Sequence, residues 1–391
     1  MYEQKKELTA PKVGLVLTGG GARAAYQVGV LRAIAELLPD KTRNPFPIIC
    51  GTSAGAINAA SIAVSANNFA EGVERLEAVW SNFHVDQIYR SDLMGVIHNT
   101  LRCLLSLVSS EYGQHNPISL LDNCPLETLL RNRFSFRTIQ HCIRSGSLHA
   151  LGLTAWGYTS GQSVTFYQAA REVLPWKRAQ RLGIPVEIGV EHLMASSAIP
   201  FIFPAVKLNR EYFGDGSMRQ LAPISPALHL GADKLLIIGV RKPVTDEPKR
   251  MSASGYPPFA QIAGHALNSI FVDSLDVDLE RLLRINETLK LIPPEALKAK
   301  NIPLRPVESM MIAPSEGINE IAQKYAHTLP WIMRYLYRAI GAMGPNGSTL
   351  LSYVLFEVPF CRDLIELGYN DTLQQKNELL KFIGVQDEDK A

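Results

Sequence analysis

The stretch Ile48-Ile49-Cys50-Gly51-Thr52-Ser53-Ala54-Gly55-Ala56-Ile57-Asn58-Ala59-Ala60 reads as a short buried strand, a tight turn and the start of a helix. Ser53 sits at the turn, inside the pattern G-x-S-x-G. Glycines on both sides let the backbone bend there without a Cβ clash and push one hydroxyl out at a helix N-terminus, where the local field favours negative charge. Alone, so short a pattern also describes a plain glycine-rich turn, and the surrounding chain has to decide its meaning.

Upstream, residues 12–17 form a compact apolar run that ends in Thr18-Gly19-Gly20-Gly21-Ala22-Arg23, followed by a helical pattern through Val28, Val30, Leu31, Ile34 and Leu37. This is strand, glycine loop, helix. Consecutive glycines let several backbone N–H groups converge at a helix N-terminus, the geometry that binds a phosphate or holds an oxyanion. Gly19-x-Gly21-x-x-Ala24 also fits the loose dinucleotide fingerprint. A nicotinamide enzyme, however, needs an acidic residue at the end of the next strand, and residues 46–50 run straight into Gly51-Thr52-Ser53. A glycine loop that can donate hydrogen bonds and an exposed serine on the adjacent strand supply two of the three parts of an acyl-transfer site; the third is a base.

Composition sets the frame. The 391 residues are 47% hydrophobic and 19% charged, a globular balance with room for a sizeable core. A formal charge of +2 offers no global field that would recruit nucleic acid, so any attraction to a membrane is local. Five scattered cysteines (Cys50, Cys103, Cys124, Cys142, Cys361) show no metal or redox spacing, and neither a metal nor a cofactor is expected. The polar start and the lack of a long apolar run lead us to expect a cytoplasmic protein without signal peptide or spanning helix, with peripheral membrane contact as a second expectation.

Along the chain, residues 61–83 look helical. Residues 93–110 form an unusually apolar helical pattern, read either as a buried helix or as a lid or lipid-contacting element. A basic helical region follows to Arg144, then a hairpin over residues 148–167 turning at Thr159-Ser160-Gly161. Lys177, Arg178 and Arg181 form a basic cluster, read as a solvated surface or as a contact for anionic lipid. Residues 191–198 read as a short helix, Asp215-Gly216 as a hairpin turn and residues 233–240 as a further buried strand. Beyond Arg241 come a linker over 242–258, one long helical pattern over 259–291, a proline-punctuated connection over 293–306, and helices over 318–341 and about 348–383. Residues 331–338 mix aromatics with arginines, which suits helix packing or a membrane interface.

In this order the chain resembles the patatin-like phospholipase family: the loop Gly19-Gly20-Gly21-Ala22-Arg23, the elbow Gly51-Thr52-Ser53-Ala54-Gly55, the stretch Ala195-Ser196-Ser197-Ala198-Ile199-Pro200, and the Asp215-Gly216 turn. The resemblance implies a three-layer α/β/α fold with a central, mostly parallel sheet, a catalytic domain over 12–241 and a helical C-terminal region over 242–391. It also implies a Ser53–Asp215 dyad in which the carboxylate, not a histidine, takes the serine proton. The oxyanion hole then comes from Gly19, Gly20 and Gly21 with Arg23 helping to hold it, Gly51 and Gly55 shape the elbow, and Gly216 shapes the aspartate turn. Two departures stand out: Ala24 where the family usually has glycine, and Ser217 where it has glycine or alanine.

The expected chemistry is hydrolysis of a phospholipid or lysophospholipid ester through an acyl-enzyme. A thioesterase or acyltransferase using the same serine, and a non-enzymatic lipid-binding protein, are the alternatives. A triad with His229 or His265 as base is a further one, although its elbow normally follows several strands rather than one. Nucleic acid is not expected as a partner, and the sequence leaves the oligomeric state open.

Overall fold

A computed structural model describes residues 11–92, 119–243, 258–271, 273–300, 304–344 and 347–385. The apolar stretch at 93–110 lies outside the described residues.

Ten strands form one sheet in the order β10-β9-β1-β2-β3-β4-β6-β5, with β8 pairing β3 and β7 pairing β8. β1 (Val13–Leu17), β2 (Ile48–Thr52), β3 (Ala150–Gly157), β9 (Lys234–Ile238) and β10 (Glu308–Ile312) run parallel. Their residues alternate between two cores. Leu15, Leu17, Ile49, Leu236 and Ile238 face one; Val16, Ile48, Cys50, Leu235 and Ile237 face the other. Strands apolar on both faces need helices on both, which gives the three layers. On the first face lie α1 (Ala25–Leu37), α2 (Ala54–Val64) and α3 (Phe69–Trp80), with α4 (Cys124–Arg133) and α5 (Arg137–Ser145) beside them. The second face is covered by α7 (Ser225–His229) and α9 (Asp273–Lys290).

The sheet's other half is antiparallel where β3 meets β4 (Ser163–Ala169), as the hairpin reading expects. β5 (Trp176–Arg178) and β6 (Arg181–Pro185) extend it, so the basic cluster belongs to an edge of the sheet, where charge discourages pairing with other chains.

Some local expectations change. The hairpin turn lies between β7 (Val206–Leu208) and β8 (Glu211–Asp215), where Asn209 adopts φ 55°, and not at Asp215-Gly216. Asp215 instead ends β8 and caps a short 3-10 turn, its side chain accepting from the Ser217 N–H. Helix occupies the long pattern after residue 258 on both sides of residue 272, as α8 (Phe259–Phe271) and α9. β10 lies in a stretch with no strand expectation; it joins the sheet edge by pairing with β9.

The remaining helices are α6 (Val190–Ser196), α10 (Pro294–Ala299), α11 (Ile318–Tyr325), α12 (Trp331–Ala339), α13 (Ser348–Val354), α14 (Val358–Gln374) and α15 (Lys376–Ile383). On α12 the aromatic stripe divides: Met333 and Tyr337 enter the core, while Trp331 and Tyr335 stand exposed one turn apart. α14 lies against α1 at close range. A Cβ on Gly29 would come within 1.8 Å of the Ile365 carbonyl oxygen, and one on Gly368 within 2.2 Å of the Tyr26 carbonyl oxygen. The Tyr26 hydroxyl seals the pair by donating to Asp371 at 3.0 Å.

Candidate active site

The glycine loop and the elbow leave the carboxyl ends of neighbouring parallel strands, since Leu17 lies opposite Gly51. β9 flanks β1 on its other side, so the chain departs in opposite directions around this point, where open α/β sheets form crevices. Ser53 lies between β2 and α2 with φ 55° and ψ −130°. For a residue with a Cβ this conformation costs about 1–3 kcal/mol, which the surrounding structure must overcome. The glycines act through space rather than through their own torsions: a Cβ on Gly51 would lie 2.4 Å from the Gly55 carbonyl oxygen, and one on Gly55 2.4 Å from that of Leu17. Elbow and glycine-loop strand are pressed together there.

Register brings Asp215 to Ser53. β4 occupies one edge of β3, so β2 and β8 must share the other. β2 ends with Thr52 opposite Thr154, and β8 arrives head-on with Asp215 opposite Ala155. The two strand ends thus meet about 3.3 Å apart along β3. Gly216 is obligatory at this junction, because a Cβ would sit 2.0 Å from the Thr154 carbonyl oxygen.

Ser53 is 2% exposed and Asp215 is fully buried. Burial pushes the Asp215 carboxyl up to about 7, against the opposing pull of the Ser53 hydroxyl and of the Ser217 amide and hydroxyl. Oδ1 accepts from the Ser217 N–H at 2.9 Å. Oδ2 has no hydrogen bond of ordinary geometry among the described residues, so the contact with Ser53 is a loose one. Such bonds commonly tighten only when substrate is bound.

The stretch from Ser196 to Ala198 grips both residues. The Ser53 N–H donates to Ser196 Oγ at 2.9 Å, and Ser196 Oγ donates to the Thr154 carbonyl at 2.7 Å. The Asp215 N–H donates to the Ala198 carbonyl at 2.9 Å.

All three loop glycines are buried. Gly21 shares a cavity wall with Ser53. It adopts φ 55°, and a Cβ on it would lie 2.1 Å from the Tyr353 carbonyl oxygen. A Cβ on Gly20 would meet Val240 at 2.7 Å. Arg23, also buried, donates to Ser352 Oγ at 2.8 Å and Asn319 Oδ1 at 2.9 Å, and its guanidinium lies 4.0 Å from the Tyr353 ring centre. Burial draws its pKa below the usual arginine value, with the nearby Tyr353 acting against that. On the other side of the loop, Asn58 of α2 donates to the Ala24 carbonyl at 3.1 Å and to Gln27 Oε1 at 2.9 Å, and Gln27 donates to the Thr18 carbonyl at 2.8 Å.

Sequence reasoning assigned no role to Gln27, Asn58, Ser196, Asn319 or Ser352. A polar residue on an otherwise apolar helix face, as at Gln27 and Asn58, is the one signal that was open to it.

No histidine among the described residues hydrogen-bonds to Ser53 or Asp215. His229 stacks on Trp176 with centroids 5.0 Å apart, its pKa pulled down to about 4 by burial and then by Arg178 and Arg181. His265 is exposed on α8, and His192 accepts from the Gly189 N–H at 3.0 Å. Among the described residues no cluster of His, Cys, Asp and Glu is arranged to hold a metal ion, and no helix is long and apolar enough to cross a membrane.

Ser53 opens into a cavity of about 430 Å³. Ala54, Ile57, Ser61, Val64 and Ser65 line it at helical spacing, so it follows α2 from end to end, about 16 Å at 1.5 Å per residue. Opposite them stand Leu76, Val79, Phe83 and Leu130, and exposed Arg75 and Arg133 border the cavity.

Among curated proteins, the chain is 26% identical over 216 residues to the cGAMP-activated phospholipase of Pseudomonas aeruginosa (strain BWHPSA011 / Pa011), a match covering 55% of each chain. It therefore spans little more than half the length of that relative. It aligns with VipD from Legionella pneumophila at TM-score 0.37 and 12% identity, covering 95% of this chain and 67% of that one. With human GIVD cytosolic phospholipase A2 the values are 0.45, 11%, 96% and 60%. The family model for patatin-like phospholipases matches residues 15–228, a span that holds the glycine loop, Ser53 and Asp215 together. With more than half of its residues inside that match, the chain belongs to the patatin-like phospholipase family.

Proposed function

We propose that the protein cleaves the carboxylic ester of a phospholipid or lysophospholipid through a Ser53–Asp215 dyad and an acyl-enzyme. The observation that carries this reading is the position of Ser53, in strained backbone at a helix N-terminus, with a buried carboxylate on one side and an apolar cavity on the other. Ser53 Oγ attacks the ester carbonyl while Asp215 takes its proton. The oxyanion that forms is met by backbone N–H groups of the glycine loop, with Gly21 on the cavity wall. Collapse expels the alcohol, which recovers the proton from Asp215. Water then attacks the acyl-serine with Asp215 again as base, releasing the fatty acid and restoring Ser53. The acyl chain lies along α2, where the lining is mostly apolar.

Hydrolysis of a long-chain lysophospholipid tests the reading. Ser53→Ala and Asp215→Asn, each shown to be folded by circular dichroism, are expected to lose about 10⁴-fold in turnover, the scale on which removing one member of a catalytic constellation acts. His192→Ala, His229→Ala and His265→Ala, made singly, are expected to stay within about tenfold of wild type, a barrier change of about 1.4 kcal/mol. A folded histidine variant as inactive as Ser53→Ala would replace the dyad with a triad.

A further inference from the structure

The cavity beside Ser53 changes character along its length. α2 and α3 form antiparallel walls, joined by the turn at residues 65–68 and pinned where Trp80 Nε1 donates to Asn58 Oδ1 at 2.8 Å. Counting back along α3 from that contact sets Arg75 level with residue 63, about 15 Å from Ser53 at about 1.5 Å per residue. α4 starts at the Ser53 end: just before it, the Leu121 N–H donates at 2.9 Å to the carbonyl of Ile202, the neighbour of Phe203 in the cavity wall. Leu126, Leu130 and Arg133 all line the cavity, so α4 runs along it and brings its last residues to the far end. Apart from the serines at the Ser53 end, the near half is lined by apolar residues such as Ile57, Val79 and Phe83. The far half adds Ser61, Ser65, Arg75, Asn132 and Arg133.

Most of these polar groups are idle in the fold. The side chains of Ser61, Ser65, Asn132 and Arg133 make no hydrogen bond or ion pair among the described residues, so the two serines lack even the usual helical bond to the carbonyl one turn earlier. Arg75 pairs with Glu71. The described lining contains two guanidinium groups and no carboxylate. Arg75, Ala78, Asn132 and Arg133 are exposed whereas Ser53 is buried, so the far end is the hydrated one. An anion there keeps part of its water, which lowers the cost of bringing it in, and it finds hydroxyl, amide and guanidinium donors.

Length decides which part of a lipid could supply that anion. An extended hydrocarbon advances about 1.25 Å per carbon, from bonds of about 1.5 Å meeting near 111°, so the tip of a chain of roughly twelve carbons held at Ser53 lies about 14 Å away, level with Arg75. The phosphate of a lysophospholipid, about six bonds from the ester carbon, extends only about 7 Å and stops among the apolar residues. We propose that the far end of the cavity binds a carboxylate at the tip of the acyl chain, so that the preferred lipid carries a chain of roughly twelve carbons ending in an acid. This rests on the hydrolase reading above and adds no chemical step to it; it names the acyl class. The carboxylate accepts from Arg133 and Ser61 and is attracted by Arg75, which stays on Glu71.

The test compares dodecanedioyl lysophosphatidylcholine, whose chain ends in a free carboxylate, with the dodecanoyl lipid of equal length, both below their critical micelle concentrations. Wild type is expected to favour the carboxylate-tipped lipid by about tenfold in kcat/KM, the scale of one hydrogen bond to a charged group. The double variant Arg75→Gln/Arg133→Gln is expected to lose that preference by slowing the carboxylate-tipped lipid, and Arg133→Glu to favour a chain tipped with an ammonium group instead. Equal slowing of both lipids in the double variant would mean that the arginines hold the fold or meet the head group. That outcome, or a preference absent from wild type or unchanged in the double variant, overturns the assignment while leaving the hydrolase reading intact. A wild type that hydrolyses neither lipid overturns both.

Discussion

In the proposed dyad a carboxylate with an ordinary proton affinity would be a feeble base for a serine hydroxyl, and burial raises the proton affinity of Asp215. A carboxyl raised to about 7 gives kcat/KM a limb that climbs with pH and levels off above about that value. The same shift has a stability consequence of definite sign. In the unfolded chain this carboxyl ionises near 3.8. Between there and 7 the folded protein holds a proton that the unfolded one has released, so stability falls as pH rises through this window, and the full penalty stands above it. Its size is on the order of 4 kcal/mol. Asp215→Asn carries no charge to desolvate and can still accept from the Ser217 N–H. It is therefore expected to melt at a higher temperature than wild type at about pH 8, with a smaller gain at about pH 5, in calorimetric scans of both proteins. A gain independent of pH would show that the carboxyl is not the group responsible. Ser53, in its strained backbone, and Asp215, buried without a countercharge, both cost stability, as the residues of the proposed dyad would.

At the scale of the element, α2 works at both of its ends. Its N-terminus is capped by Ser53, and one of its sides lines the cavity down to Ser65. Filling that wall halfway should shorten what fits. Ser61→Trp is expected to spare butyryl esters and to slow palmitoyl esters about tenfold or more, read as kcat/KM across a series of acyl lengths; equal slowing across the series would place the chain elsewhere. The strand–loop–helix units around Gly19–Gly21 and Ser53 were legible because apolar runs of strand length end abruptly at glycines. The nearness of Asp215 to Ser53 was not legible from the residues themselves and entered through the family resemblance. It depends on two strands abutting on one edge of β3, a register relation that no spacing along the chain encodes. β10 escaped notice because five residues of mixed polarity after a proline-rich stretch form a strand only when β9 offers an edge. The neutral partners of Arg23 were hidden for a similar reason, since single Asn and Ser residues on distant helices carry no pattern.

For the whole molecule, the residues after 242 are structural partners of the glycine loop. Arg23 reaches α11 and α13, and the Tyr353 backbone packs against Gly21. Arg23→Lys keeps the charge but cannot make the forked set of hydrogen bonds. It is expected to lower the melting temperature and to cut kcat about tenfold with KM little changed, as steady-state kinetics and a thermal melt would show; wild-type kcat in a protein of lowered melting temperature would confine the tether to stability. The tether also has a consequence in time. Arg23 meets Asn319 and Ser352 across 296 and 329 positions of chain. At the pace of translation it waits on the order of 15–60 seconds for them. Through that interval the nascent polypeptide carries Ser53 and the glycine loop without the partners of Arg23, so on the proposed function the nucleophile leaves the ribosome well before the loop that would serve it is held in place.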